Sequence, residues 1–152
     1  MSRKSPKAIR PKIRGSPQIA VIASRFNQEI VDELLANCVQ RLSEIGVKPA
    51  KIAIHRVPGA FELPVAAKLA ADTGKFAAII CLGAVIRGET PHFDFVAGEA
   101  ARGIQDVAIQ TGIPIIFGVL TTDTEKQARD RLAAGARAAD AALEMAELAR
   151  NF

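Results

Sequence analysis

The stretch from Gly83 to His92 holds the residues best suited to chemistry in this chain. It follows an apolar run over 76–82 of the kind that forms a buried parallel strand. We expect Gly83 to end this strand and Thr90 to cap a helix in which Pro91 takes the first position. Unpaired N–H groups and the positive end of a helix dipole would then meet in the loop, which predicts a site for phosphate or carboxylate.

His92 would lie in the first turn of that helix, where the helix dipole disfavours the imidazolium form. A neutral imidazole near pH 7 is suited to proton transfer, so His92 is the candidate catalytic residue. A solvated polar residue is the simpler alternative. For His55, which falls within a strand pattern, a structural role is favoured. The glycine spacing fits neither the Walker loop nor the dinucleotide fingerprint, so the motif implies no nucleotide.

The elements that must position these residues alternate along the chain. Strand patterns cover 18–23, 51–57, 76–82 and 113–120, and helical patterns follow each of them. The alternation predicts a layered α/β fold with a parallel sheet. We expect Asn27 to cap the first helix, and Thr122 and Glu125 to form a capping box for a last helix that runs to about residue 149. Gly46 and Gly112 are expected to end the first and third helices.

Ligands of parallel α/β sheets bind outside the carboxyl ends of the strands, so the residues that follow the strands are expected to share one rim. Phe26 follows the first strand, and Ala60, Phe61 and Glu62 follow the second. Phe117 begins the segment 117–122, with which the fourth strand ends. These side chains predict a ligand that combines a planar ring with a phosphate. The simpler alternatives are core packing for Phe26 and Phe117 and a helix-end role for Glu62.

Two arginines near the start of the last helix lie where a cation is unfavourable to the helix dipole. Arg129 and Arg131 are therefore candidates for binding an anion, with surface pairs to Glu125 or Asp130 as the alternative. Arg87 and Glu89 can likewise form a solvated ion pair within their loop.

Composition limits the function classes. A chain of 152 residues that is 49% hydrophobic predicts a single domain. Its basic excess lies in residues 1–17, which are rich in proline and contain no acidic residue, so we predict an extended arm over 1–17 and one domain over 18–152. The rest of the chain is slightly acidic and lacks Trp and Tyr, which disfavours nucleic-acid binding.

No run of about 18 apolar residues and no secretory signal is visible, so we expect a cytoplasmic protein without a membrane partner. Cys38 and Cys81 lie in apolar surroundings without metal-like or CxxC spacing. They are expected to be buried, reduced thiols, and no metal site is predicted.

With these residues assembled, the chain resembles the 6,7-dimethyl-8-ribityllumazine synthases over about 19–148. Four motifs carry the resemblance, at 24–27, 58–64, 83–94 and 117–122. The resemblance implies a three-layer, flavodoxin-like α/β fold, in which helices flank a four-stranded parallel sheet. It also implies an enzyme of riboflavin biosynthesis that condenses 5-amino-6-(D-ribitylamino)uracil with 3,4-dihydroxy-2-butanone 4-phosphate, releasing phosphate and water. No metal or redox cofactor is implied.

The resemblance also implies roles for individual residues. His92 would move protons during the reaction. The ribitylaminouracil would be bound by Phe26, Ala60, Phe61, Glu62, Ala84, Val85, Ile86 and Phe117, and the phosphate by Gly88, Glu89, Thr90 and Arg131. Phe117 and Arg131 would come from the neighbouring subunit of a homopentamer, and riboflavin synthase would be the pathway neighbour. A non-catalytic module that binds flavin or lumazine on the same fold is the alternative.

The chain departs from the family pattern after Arg131. Where the family usually has a Gly-Thr-Lys-like turn and a longer connection into the last helix, segment 132–137 is shorter and has no lysine. Arg137 is the candidate for the missing second cationic contact. We expect a pentamer rather than a larger shell, with the last residues of the arm ordered against the sheet of an adjacent subunit.

Overall fold

A computed structural model describes residue 4, residues 6–7 and residues 9–152. The elements follow in the order β1 Ile19–Ser24, α1 Gln28–Ile45, β2 Ile52–Val57, α2 Leu63–Asp72, β3 Ala78–Ile86, α3 His92–Thr111, β4 Ile115–Thr122, α4 Glu125–Arg129 and α5 Ala134–Asn151. Short 3₁₀ turns precede β2 and α2. The predicted alternation of strands and helices is confirmed.

The four strands form one parallel sheet in the order β2-β1-β3-β4. Successive side chains of a strand point to opposite faces, and β1 shows this clearly. Ile19, Val21 and Ala23 pack in the cluster formed with α1 and α5, whereas Ala20 and Ile22 pack in the cluster formed with α2 and α3. The two clusters establish the predicted three-layer α/β architecture.

Two glycines end helices as predicted. Gly46, after α1, has φ 117°, and Gly112, after α3, has φ 69°. Both values lie in the left-handed region, which glycine enters without steric cost. The helix lengths are therefore set locally at these two positions.

The predicted end of β3 at Gly83 is wrong, because the strand continues to Ile86. Its last residues pair with β4, from Gly83 opposite Val119 to Ile86 opposite Thr122. Glycine is favoured within the strand because a Cβ at position 83 would lie 3.0 Å from Ser24 Oγ. The loop before α3 therefore covers only residues 87–91.

The single last helix predicted from sequence is divided into α4 and α5. Between them, the N–H groups of Arg131, Ala134 and Gly135 bond to carbonyls three residues earlier. These tighter turns break the α-helical hydrogen-bond ladder. The predicted capping box of Thr122 and Glu125 is also wrong, since the box is formed by Thr124 and Gln127.

Part of the predicted arm lies against the domain. Pro11 is buried, Ile13 packs against the core, and Arg14 forms an ion pair of 2.9 Å with Glu147. Residues 1–3, 5 and 8 lie outside the described residues. The division into an arm over 1–17 and a domain over 18–152 stays a prediction.

Both cysteines are free and buried, as predicted. Burial raises the pKa of the Cys38 and Cys81 thiols to about 12, because a thiolate would lose its hydration in the core. Among the described residues, no helix combines the length and the apolar character needed to cross a membrane.

Candidate functional site

A cavity of about 530 Å³ opens at the carboxyl ends of β1, β2 and β3. This volume is typical of small-molecule sites. The cavity lies where the chain order of the sheet reverses, since the chain leaves β1 for β2 on one side and continues to β3 on the other. Ligands of open α/β sheets bind at such a switch point. The lining comprises Phe26, Asn27, Gly59, Ala60, Phe61, Glu62, Ala84, Val85, Ile86, Gly88, Thr90, His92, Phe93, Phe95 and Val96.

The loop after β1 presents an aromatic ring and fixes the neighbouring strand. Phe26 is 71% exposed, so the alternative of core packing is wrong for this residue. Asn27 has a left-handed backbone, φ 56°. The prediction that its side chain caps α1 is wrong, because that side chain forms no hydrogen bond with the start of the helix. Instead, Asn27 Nδ2 donates to the carbonyl oxygen of Ala84 at 2.8 Å. This bond joins β3 to the β1 loop beyond the end of β1.

The turn after β2 holds its own carboxylate. Glu62 Oε2 accepts a hydrogen bond from the Gly59 N–H at 2.9 Å, which satisfies a free donor at the start of the 3₁₀ turn. Glu62 also lines the cavity, beside the buried Ala60 and the exposed Phe61. The helix-end role and the cavity position of Glu62 therefore coexist.

The loop after β3 leads directly into α3, whose first residue is His92. Pro91, rather than Thr90, occupies the N-cap position, and Thr90 Oγ1 accepts only a long bond of 3.5 Å from the His92 N–H. Gly88, Thr90 and His92 line the cavity, whereas the exposed Glu89 does not. The N-terminus of a 20-residue helix and an exposed imidazole thus adjoin the same cavity.

Arg87 begins this loop, and its ion pairs differ from the predicted pair with Glu89. Arg87 Nε donates to Asp123 Oδ1 at 3.0 Å, and Nη1 lies 3.4 Å from Asp94 Oδ1. The hydrogen bond to Asp123, followed by the charges of Asp94 and Asp123, raises the pKa of the Arg87 guanidinium. Arg87 therefore links the β3 loop both to α3 and to the loop after β4.

Phe117 does not share the cavity rim, so that expectation is wrong. It lies within β4 opposite Cys81, well before the carboxyl end of the strand. Its ring is 41% exposed, which also excludes full core packing. Phe117 instead lines a separate groove between β4 and α5, together with Arg137.

The two candidate anion-binding arginines differ. Arg129 pairs with Glu125 and with Glu29, so the surface-pair alternative holds for Arg129. Arg131 is exposed after α4, and its Nη1 donates to the carbonyl oxygen of Gln127 at 2.8 Å. Within the part of the chain that the structure describes, no carboxylate forms an ion pair with Arg131. Arg131 does not line the cavity of its own chain.

Several cavity residues were not predicted from sequence. Phe95 and Val96 lie three and four residues after His92, and this spacing puts all three on one face of α3. The same spacing could have identified them. His55 is exposed on the edge strand β2 and does not line the cavity. Among residues 4, 6–7 and 9–152, no cluster of His, Cys, Asp and Glu is arranged to hold a metal ion.

The cavity combines an aromatic ring, an apolar wall, a helix N-terminus and an imidazole. These groups can stack a planar ring, bind an anion and transfer protons. A family model described as 6,7-dimethyl-8-ribityllumazine synthase matches residues 16–150. The match includes all four strands and every residue that lines the cavity.

Proposed function

The chain belongs to the family of 6,7-dimethyl-8-ribityllumazine synthases, transferases of riboflavin biosynthesis, and we propose that it condenses 5-amino-6-(D-ribitylamino)uracil with 3,4-dihydroxy-2-butanone 4-phosphate. The products are 6,7-dimethyl-8-ribityllumazine, phosphate and water. The observation that carries this proposal is the cavity at the switch point, where an aromatic ring, a helix N-terminus and His92 converge.

The proposed pyrimidine site is formed by the β1, β2 and β3 ends. Phe26 stacks on the pyrimidine ring, and the backbone and side chains of 60–62 and 84–86 hold the ring edge and the ribityl chain. Support comes from the exposure of Phe26 and from the shared lining of all three segments. An aromatic ring that is exposed in the free protein can bury its face against a planar ligand.

The proposed phosphate site lies at the loop before α3. Gly88, Glu89 and Thr90 hold the phosphate with the N-terminus of α3, and Arg131 adds a cationic contact. Support comes from the helix dipole, which favours an anion at this end, and from the absence of a carboxylate partner for Arg131 among the described residues. A guanidinium without a carboxylate is available to a phosphate.

His92 is proposed to transfer protons at each stage. The 5-amino group attacks the ketone, and loss of water gives a Schiff base. Elimination of phosphate leaves an enol, which becomes a ketone with a new methyl group, and attack by the ribitylamino nitrogen closes the ring with loss of water. Because both substrates are held together, much of the acceleration would come from proximity, which can supply several kcal/mol of the barrier.

The proposed active unit is a homopentamer in which Phe117 and Arg131 of one subunit complete the site of the next. Both residues lie outside the cavity lining of their own chain, which supports this arrangement. Exposed apolar side chains on α2 and at the start of α3, namely Val65, Leu69 and Phe95, offer surface for subunit contacts.

The direct test mixes the purified protein with both substrates and follows the absorbance and fluorescence of the lumazine. We expect formation well above the spontaneous rate. His92→Ala should lower kcat roughly 10²–10⁴-fold, as expected for loss of a general acid–base group, while phosphate still binds. Arg131→Ala should instead weaken binding of the phosphorylated substrate. Tight binding of lumazine without acceleration would identify a non-catalytic binding module instead.

A further inference from the structure

One side chain bridges the two ends of the segment 88–92, which carries His92 and the proposed phosphate contacts. Arg87 precedes the segment, and its Cζ lies 4.3 Å from the centroid of the Phe93 ring, which follows it. The same guanidinium bonds to Asp94 in the first turn of α3 and to Asp123 in the loop after β4. Its backbone N–H donates to the Thr122 carbonyl oxygen at 2.9 Å, so Arg87 is itself fixed to the sheet.

The segment has little burial to hold it in place. Residues 87–92 are all exposed, and the 3.5 Å bond between the His92 N–H and Thr90 Oγ1 is too local to anchor them to the fold. A planar guanidinium can stack on a ring and donate hydrogen bonds in its plane at the same time. Arg87 uses both modes, which an amide or an ammonium group cannot reproduce.

We propose that Arg87 is a positioning residue that holds the segment 88–92 against α3 and the β4 loop, and so sets the phosphate contacts and His92 relative to the cavity. The expected effect on catalysis rests on the proposed function. The contacts that Arg87 makes with Phe93, Asp94 and Asp123 do not depend on which substrate binds. Phe93 lines the cavity and Arg87 does not, so the guanidinium acts through the ring rather than on the ligand.

A direct phosphate contact by Arg87 is the competing explanation. Two carboxylates already occupy the guanidinium, and an incoming phosphate would have to displace one of them. The two explanations predict opposite effects of Asp123→Asn. Under positioning, this substitution loosens the segment and weakens catalysis. Under direct contact, it releases the guanidinium and leaves phosphate binding equal or stronger.

The experiment compares Arg87→Gln, Arg87→Lys and Asp123→Asn with Arg102→Gln as the matched control. Arg102 also bridges two carboxylates, Glu99 and Asp106, but it lies on the exposed face of α3 away from the cavity. Steady-state kinetics with each substrate, competition by inorganic phosphate, thermal unfolding, and hydrogen exchange of the 88–92 amides are measured for every variant.

We expect Arg87→Gln to lower kcat roughly 10–100-fold, the size of loss that a displacement of about 1 Å can cause. The KM for the phosphorylated substrate should rise, the KM for the pyrimidine should stay unchanged, and the 88–92 amides should exchange faster. Arg87→Lys should recover only part of the loss. Asp123→Asn should act in the same direction, and adding it to Arg87→Gln should change little further.

The proposal is overturned if Arg87→Gln matches Arg102→Gln in kinetics and exchange, or if Asp123→Asn preserves or strengthens phosphate binding that Arg87→Gln abolishes. Failure of the proposed function is a separate result, since it would appear as a wild-type protein that forms no lumazine. In that case the exchange of the 88–92 amides and the binding of inorganic phosphate by the same variants still decide the role of Arg87.

Discussion

Phe26 exposes 71% of its surface at the mouth of the cavity, although an aromatic ring of this size gains most from burial. A ligand that stacks on the ring would recover that burial. The backbone that carries the ring is fixed, because the Phe26 N–H donates to the Pro58 carbonyl oxygen and the Asn27 side chain donates to the Ala84 carbonyl oxygen. The neighbouring backbone therefore presents the ring before any ligand arrives.

We predict that Phe26→Ala weakens binding of the pyrimidine substrate roughly 5–150-fold, since base–aromatic stacking contributes about 1–3 kcal/mol. The free energy of unfolding should change by less than about 0.5 kcal/mol, because little burial is lost. Ile109→Ala is the matched control, as Ile109 is also 71% exposed but does not line the cavity. Calorimetric titration and chemical denaturation measure the two quantities. Equal affinities of the two variants would remove Phe26 from the pyrimidine site.

The raised pKa values of the Cys38 and Cys81 thiols predict that the free energy of unfolding falls as the pH rises above about 9. Their folded-state pKa of about 12 exceeds the ordinary thiol value of 9.0, so between these values the folded protein binds more protons than the unfolded chain. Stability from each thiol is complete below about pH 9 and falls as the pH rises towards 12, by at most about 1.4 kcal/mol per pH unit.

This loss can be measured by comparing the wild-type protein with Cys81→Ala in chemical denaturation at about pH 8 and about pH 10. The free energy of unfolding should decline less in the variant than in the wild type over this interval. An identical decline in both proteins would contradict the assignment. The difference between the two proteins is the informative quantity, since lysines titrate in the same range and affect both.

The contact between α1 and α5 depends on a glycine at the start of α5. A Cβ at position 135 would lie 2.1 Å from the carbonyl oxygen of Leu34, which is far inside van der Waals contact. Both helices cover the same face of the sheet through a shared apolar cluster. The side chain is therefore excluded by packing, although alanine is the better helix former.

We predict that Gly135→Ala lowers the free energy of unfolding by about 3 kcal/mol or more, through overpacking of the two helices. Gly98→Ala is the matched control, because Gly98 lies within α3 and a Cβ there has no heavy atom within 4 Å outside its own helix. That variant should gain roughly 0.5–1 kcal/mol. Chemical denaturation under identical conditions measures both free energies of unfolding. If Gly135→Ala stabilised the protein as Gly98→Ala is expected to, helix propensity rather than packing would govern both positions.

In the proposed pentamer, the neighbouring subunit would supply the residues that the cavity of one chain lacks. His92 lies at the cavity of its own chain, whereas Arg131 lies outside that lining. If each site takes residues from two chains, a mixed assembly of two different defective variants contains some intact sites. Chains that carry different defects can complement each other when they occupy the same ring.

We predict that His92→Ala and Arg131→Ala chains, each poorly active alone, regain activity when they are co-assembled at equal amounts. In a cyclic pentamer, about a quarter of the sites would combine an intact His92 with an intact Arg131 from the neighbour. Light scattering should give a mass about five times 16.1 kDa. Activity no higher than the average of the two separate variants would show that each site lies within one chain.

The sequence alone determined the alternation of elements and the chemistry of the candidate residues. Strand and helix patterns depend on local periodicity, and the glycines after α1 and α3 depend on their own backbone, so these predictions needed no knowledge of distant contacts. The family motifs, recognised from the sequence, agree with the family match over 16–150.

Only the tertiary structure decided the strand order, and with it which loops form the cavity. The order β2-β1-β3-β4 brings Phe26 and His92 to one switch point and leaves Phe117 in a separate groove. The same applies to the length of β3, which continues past Gly83 because β4 supplies hydrogen-bond partners. Asn27 likewise bonds to Ala84 instead of capping α1, since its partner is distant in sequence and adjacent only after folding.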